Sequence, residues 1–352
     1  MSRLEHLEEL VEDSHQARRR HRCLCLSELV DANLLYVYVS DDDAAESMAA
    51  AMAELDDLVA WTAPRPHLVR VDPGYVAGEE TAVVRGIDGF APKPTLKPPR
   101  PYEVGVAGRP TLVANVESLA RLALASHPDV GAQAGASVLA TVVDNDGAGL
   151  YEVAATSTIG NLLAQHRAPG APEPLAVLVG GYAGGIWPAS ILATTLDRQR
   201  LREQGITLGC VSFVVVDAGD CVVAAAYDVC SYLAGSSSGQ CGICVRGTAV
   251  VAANLTDLAH GTATPELLAQ LRKRVAMMRG RGNCAMPDAV EVMVRTLLDN
   301  FPDEVAAHLT DPCPVCLGQV PDKPRTTTRF QVRLPRSPIW PRPLTMAGPS
   351  KV

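Results

Sequence analysis

The chain has 352 residues, enough for two or three domains, and 47% of them are hydrophobic against 20% charged, a globular balance rather than a disordered one. With 31 basic and 39 acidic residues the formal charge is −8, and aromatics make up 4%, which argues against nucleic acid or an anionic membrane as the main partner and leaves few rings for base stacking. Apolar stretches fall short of the roughly 18–20 residues a bilayer span needs, and the acidic opening M-S-R-L-E-H-L-E-E-L-V-E-D is unlike a signal peptide, so a soluble, cytoplasmic chain with no direct membrane span is expected.

Residues 1–32 read as mostly helical, with Arg18-Arg19-Arg20-His21-Arg22 a solvated basic face. Leu34 to Val39 is β-branched and aromatic and predicts a buried strand. Ser40-Asp41 opens an alanine-rich helix to about residue 56, and H-L-V-R-V at 67–71 is a second strand. Strand–helix–strand order predicts an α/β layer with parallel strands. The stretch D-P-G-Y-V-A-G-E-E-T-A-V-V-R-G-I-D-G at 72–89 follows, Pro92 to Pro101 can be neither regular helix nor central strand, and 115–126 reads as helix.

A second unit starts near residue 137. S-V-L-A-T-V-V, the turn D-N-D-G and G-L-Y-E-V predict a hairpin. A helix at 157–166, the strand L-A-V-L-V and a further strand at 213–217 complete a small β-grasp-like pattern. G-G-Y-A-G-G at 180–185 reads as a structural turn, because it lacks G-x-G-x-x-G spacing. Helical patterns at 222–234, 246–259, 264–280 and 288–299, joined by short loops, predict an antiparallel bundle with Val250, Val251 and Leu255 inward. The tail from about 317 is rich in proline and arginine and reads as extended or disordered.

Ten cysteines stand at 23, 25, 210, 221, 230, 241, 244, 284, 313 and 316. With no export signal read, a C-x-x-C pair with a distant third cysteine points to metal rather than to disulfides. The pair Cys241/Cys244 lies in S-S-S-G-Q-C-G-I-C-V-R-G-T, residues 236–248, where a turn can fold both sulfurs inward. Cys284, in R-G-R-G-N-C-A-M-P-D, lies two helices on, and an antiparallel pair would return it beside them. Cys210 and Cys221, in apolar runs, read as small core hydrophobes. C-P-V-C at 313–316 is a redox pair or half a zinc knuckle whose second half is not evident.

These motifs resemble the NADH-binding flavoprotein subunit of respiratory complex I and its relatives in NAD-linked hydrogenases and formate dehydrogenases. That family carries E-S-C-G-x-C-x-P-C-R-x-G-T followed by R-G-x-x-x-C-A. G-E-E-T-A at 78–82, L-K-P-P-R-P at 96–101 and G-R-P-T-L-V-A-N-V-E-S at 108–118 match it too, so the likeness covers about residues 22–312. The resemblance implies a 4Fe–4S cluster on Cys241, Cys244 and Cys284, with Ser238 where the family has its first cysteine. It leaves open whether Ser238 ligates, whether another thiol such as Cys230 substitutes, or whether the cluster is a three-iron form or missing. It also places Tyr75, Glu79 and Glu80 toward nicotinamide and flavin, and Asn115 toward flavin with Ala114 replacing an asparagine partner. The family's flavin loop G-R-G-G-A-G-F-P and the segment N-x-D-E-x-x-P-G are not in this sequence; in relatives both precede the region matched here.

The expected fold is therefore α/β plus α. It comprises a partial FMN/NADH-type layer over 1–126, a β-grasp-like, soluble-ligand-binding-type domain over 137–220, a helical iron–sulfur domain over 222–312, and a proline-rich tail over 313–352. The expected function is an electron-transfer subunit, carrying a 4Fe–4S cluster and residual FMN and NAD binding, in a hetero-oligomer with other electron-transfer subunits. If active, it is an oxidoreductase subunit of the NADH dehydrogenase (quinone) type. The alternative is a non-enzymatic structural or docking relative that keeps the fold without a working flavin site.

Overall fold

In the computed structural model the residues described are 30–58, 64–125, 137–311 and 313–319. The basic patch at 18–22, Cys23, Cys25 and the tail beyond 319 lie outside them. Strands β1 (Leu35–Val39) and β2 (Pro66–Arg70) pair in parallel, Leu35 opposite Pro66 and Val39 opposite Arg70. Helix α1 (Asp42–Leu58) connects them, and the Ala44 amide at its start donates to Asp41 Oδ1 at 2.8 Å. Within 72–89, to which the sequence pattern assigns no element, lies a short amphipathic helix, α2 (Glu80–Ile87). Helix α3 (Val116–Ala125) follows the proline-rich run.

The next strands are β3 (Ser137–Asp144), β4 (Gly147–Ala154), β5 (Pro174–Val179), β6 (Ile186–Pro188) and β7 (Ser212–Asp217), with helices α4 (Ile159–His166) and α5 (Arg198–Glu203) between them. They form one mixed sheet in the order β4-β3-β7-β5-β6. Only the β3–β7 contact is parallel. Strand β7 is central and covered on both faces. Phe213 and Val215 pack with Ile159, Leu162 and Val177, whereas Val214 and Val216 pack with Leu178 and the helices that follow. A continuous apolar run is what such a strand requires. Its end is fixed by Asp217, buried and ion-paired to Arg167 at 2.6 Å.

The helical part comprises α6 (Val222–Gly235), a π-helical turn (Ile243–Thr248), α7 (Ala249–Ala259), α8 (Pro265–Met278), α9 (Met286–Asn300) and α10 (Pro302–Ala307). Thr264 caps α8, accepting from the Leu267 amide, with Pro265 in the first turn. Helix α9 is fastened to the sheet: Thr296 Oγ1 accepts from the Ile186 amide at 2.9 Å, and Asn300 Nδ2 donates to the Ile186 carbonyl at 3.0 Å. Gly185, at φ +83°, lies so close to Thr296 that a Cβ there would sit 2.5 Å from its Oγ1.

Two expectations are corrected. Val250 is 41% exposed, while Val251 and Leu255 are fully buried. The π turn inserts an extra residue just before α7 and rotates the apolar face away from Val250. Residues 313–319, expected as the start of an extended tail, instead turn back, with Cys313, Val315 and Cys316 packed against the bundle core.

Leu255→Ala should therefore cost about 3 kcal/mol, whereas Val250→Ala should stay within about 0.5 kcal/mol. Urea unfolding of both variants, followed by circular dichroism, measures the difference.

Candidate functional site

Two loops deliver the sulfur residues singled out in the sequence. One joins α6 to the π turn and carries Ser238 and Cys241, with Cys244 in the turn itself; the other joins α8 to α9 and carries Cys284. Cys244 is 1% exposed, its Sγ 3.0 Å from Ser237 Oγ and 3.8 Å from Met286 Sδ. Thr248 Oγ1 donates to the Cys244 carbonyl at 2.6 Å, which closes the π turn behind the thiol. Burial pushes the Cys284 thiol up, a hydrogen bond involving Met286 opposes this, and the charges of Cys244, Glu79 and Cys241 push the same way as burial. Ser238 is buried at 8% exposure in the same loop, but the hydroxyl touching Cys244 is that of Ser237. Three soft thiols with neighbouring hydroxyls fit a cluster whose fourth ligand is oxygen. Cys230 does not fit as a substitute: it is fully buried inside α6, and burial pushes its thiol up to about 12.

Tyr75 extends from the N-terminal layer to the 180–185 turn and α6. It forms an aromatic trio with Tyr182, from the 180–185 turn, and Tyr232, from α6, with ring centroids 6.4, 6.1 and 5.1 Å apart. Burial, then the charges of Cys210, Tyr232 and Cys284, push the Tyr75 hydroxyl up to about 12. Two of the trio, Tyr75 and Tyr182, line a cavity of about 300 Å³ together with Gly180, Gly181, Cys210 and Val214.

Glu79 and Glu80 are engaged elsewhere. Glu79 Oε2 caps α2, accepting from the Thr81 and Ala82 amides at 2.9 and 3.2 Å, and its Oε1 is 2.6 Å from Lys97 Nζ. Burial works against the Glu79 charge, but the hydrogen bonds from Lys97 and Thr81 prevail and hold its carboxyl below the ordinary range. Glu80 pairs with Lys97 at 3.2 Å and Arg100 at 3.1 Å. Asn115 is exposed and accepts from the Ser118 amide at 2.7 Å, capping α3. The 180–185 turn is built for packing: Gly180, at φ +69°, abuts the Thr207 and Leu208 carbonyls, and the Gly181 amide is spent on the Ser212 carbonyl. The Ala183 amide of the same turn is likewise taken, by the Gly180 carbonyl.

A second sulfur group was not assembled from the sequence. Cys221, His308, Cys313 and Cys316 bring their ligand atoms within 4.8 Å of one another. The signal was present as H-x-x-x-x-C-x-x-C at 308–316, with the histidine preceding the pair. Cys221, read as a core hydrophobe, supplies the remaining thiol from a distant point in the chain.

Residues 224–308 match the NADH-ubiquinone oxidoreductase-F iron-sulfur binding region, so Cys241, Cys244 and Cys284 fall inside it. The chain is 28% identical over 259 residues to the NADH-quinone oxidoreductase F 2 subunit of Rhizobium meliloti (strain 1021), covering 70% of this chain and 61% of that protein. It is 27% identical over 316 residues to the NADH-quinone oxidoreductase F subunit of Rickettsia typhi (strain ATCC VR-144 / Wilmington), covering 82% and 73%. It is 26% identical over 255 residues to the NADP-reducing hydrogenase subunit HndC of Solidesulfovibrio fructosivorans, covering 69% and 52%. Its fold resembles that in the crystal structure of an NAD+-reducing NiFe hydrogenase in the H2-reduced state, with TM-score 0.74 and 23% identity over 85% of this chain and 53% of that one. In sequence the chain is thus similar to the F subunit of NADH-quinone oxidoreductase, and residues 224–308 match the iron–sulfur binding region.

Glu79→Ala should lower stability by about 1 kcal/mol at neutral pH through loss of the α2 cap. Because the folded Glu79 pKa is depressed, its ionic contribution is complete above the ordinary value of 4.5 and disappears as pH falls through the lower folded value. The Tm gap between wild type and variant should therefore be widest near pH 7 and narrow below about 4.5, as calorimetry across that range would measure.

Proposed function

We propose that the chain is an electron-transfer subunit of the NADH dehydrogenase flavoprotein type, in which Cys241, Cys244 and Cys284, with Ser238, hold a 4Fe–4S cluster. The observation that carries this reading is that Cys241, Cys244 and Cys284, carried on two separate loops of the bundle, all fall inside the matched iron–sulfur region. Such a cluster accepts and donates electrons one at a time. The chain's own residues do the rest. The thiols anchor, Met286 and the buried π turn keep water from Cys244, and Tyr75 and Tyr182, backed by the Tyr232 ring, line a cavity.

In the same proposal, residues 1–126 are the remaining wall of a flavin-type layer, 137–220 a β-grasp unit and 222–312 the cluster domain. Tyr75 faces the electron path, whereas Glu79, Glu80 and Asn115 serve the layer's own stability. The ion pairs on both glutamates support assigning this chain the one-electron part of the reaction, with no flavin or nicotinamide step routed through them. The relatives are named as subunits, which supports a hetero-oligomer with other electron-transfer subunits. Among the described residues no helix is long and apolar enough to cross a membrane; a cytoplasmic setting is part of the proposal.

Anaerobically prepared protein should contain iron and sulfide and show a reduced-state EPR signal. Cys241→Ala or Cys284→Ala should abolish both the signal and the visible absorbance. Ser238→Cys should raise iron content and cluster lifetime, whereas Ser237→Ala should leave iron content unchanged. Wild type and Ser238→Cys that both stay iron-free after reconstitution would overturn the cluster.

Purified alone, the described chain should release little FMN into an acid supernatant and reduce ferricyanide only slowly with NADH. Stoichiometric FMN with brisk turnover would reverse that assignment.

A further inference from the structure

We propose that Cys221, His308, Cys313 and Cys316 form a closed, single-ion zinc site, separate from the cysteines of the iron–sulfur region. The proposal stands independently of the electron-transfer reading, because it uses none of the same ligands.

The donor set is three thiols and one imidazole, a combination typical of structural zinc. The spacing is that of ligands around one ion. Cys221 Sγ lies 3.3 Å from His308 Nε2 and 3.5 Å from Cys316 Sγ, and Cys316 Sγ lies 3.5 Å from His308 Nε2. All four donors, Cys313 included, fall within 4.8 Å of one another. A tetrahedron with Zn–S near 2.3 Å and Zn–N near 2.0 Å has edges of about 3.6–3.8 Å, so Cys221, His308 and Cys316 need move only tenths of an ångström, and the Cys313 sulfur at most about 1 Å, to surround an ion. In a cubane cluster each thiolate sits on its own iron, which spreads the sulfurs farther apart than this. Thiols are weak hydrogen-bonding partners, so mutual attraction between neutral S–H groups is a poor reason for three to converge on one imidazole.

The surroundings orient the donors. His308 Nδ1 is 2.6 Å from the Glu304 carbonyl, one turn back along α10. A proton held there leaves the Nε2 lone pair pointed at the sulfurs, the outer-partner arrangement usual for ligating histidines. Cys221 stands at the N-cap of α6, where the Ala224 amide donates to its Sγ at 3.4 Å; a helix N-terminus favours a thiolate. Cys313 and Cys316 lie on a tight knuckle, closed by the Leu317 amide on the Cys313 carbonyl at 3.0 Å and by the Gly318 amide on the Val315 carbonyl at 3.1 Å. Cys221 and His308 are 5% and 7% exposed, so two of the four ligands are shut off from water. Four protein ligands leave no open position for water or substrate, which makes the site structural rather than catalytic. Its mechanical effect is to clamp residues 313–319 to the start of α6, directly behind strand β7.

The test is metal analysis of the full chain, expressed in medium holding both zinc and iron and purified anaerobically. Wild type should hold one zinc per chain. Cys241→Ala and Cys284→Ala should keep that zinc. Cys316→Ala and His308→Ala should lose it, and His308→Cys should restore it. As a check independent of variant folding, wild type loaded with cobalt in place of zinc should show thiolate-to-cobalt charge transfer and tetrahedral d–d bands, and zinc X-ray absorption should report three sulfurs and one nitrogen. Zinc-free wild type that takes up neither zinc nor cobalt would overturn the proposal. So would iron and sulfide that vanish with Cys316→Ala, which would assign the quartet to a cluster, or a Cys221–Cys316 disulfide in peptide mapping of native protein.

Discussion

Strand β7 has no face toward water. Val214 and Val216 belong to the helical side, Phe213 and Val215 to the other, and the strand bonds to β3 and β5 along its two edges. Every later element takes its position from that burial. The chain leaves β7 through Asp217, which Arg167 holds in place, and four residues later Cys221 opens α6. Helix α6 can then be alanine-rich and buried on most sides, because small side chains let the sheet and the neighbouring helices approach closely. Truncating Phe213, which lies on the face away from α6, would accordingly be felt across the sheet at the sulfur loops, through the position of α6.

The chemistry-bearing residues share a second constraint: they lie at helix ends. Cys221 caps α6, Cys244 sits in the π turn before α7, Cys284 precedes α9 and His308 closes α10. The middle of α6 holds a cysteine as well, Cys230, and there burial disfavours the thiolate that a metal would need. Helix interiors provide the rigid apolar frame, while their ends, where the backbone turns, present sulfur.

The periodic elements were legible in the sequence because each obeyed one strong pattern. The continuous apolar run of β7, the hairpin turn at 144–147 and the long helices α6 to α9 all follow from local residue order. Helix α2 escaped because only eight residues carry it, between glycines, with Glu79 rather than a serine or threonine as its cap. Val250 was misassigned because a π turn is invisible to a 3.6-residue count. Among site residues, Cys241, Cys244 and Cys284 were legible from spacing and resemblance. The quartet at Cys221 was not, because one ligand comes from 87 residues away from its histidine partner and looks, in its apolar run, like any small core residue. Likewise the roles of Glu79 and Glu80 depend on Lys97 and Arg100, which local sequence does not pair with them.

The attachment of α9 to β6 has a consequence for assembly. The Ile186 amide and carbonyl on the outer side of that strand are taken by Thr296 and Asn300, and Pro188 has no amide to offer. A neighbouring polypeptide cannot add itself to the sheet along β6 by backbone pairing. The sheet's other margin is β4, where Leu150 is exposed. Lengthening of the sheet by a strand from another molecule is thereby confined to one direction, away from the helices and from every sulfur ligand described above.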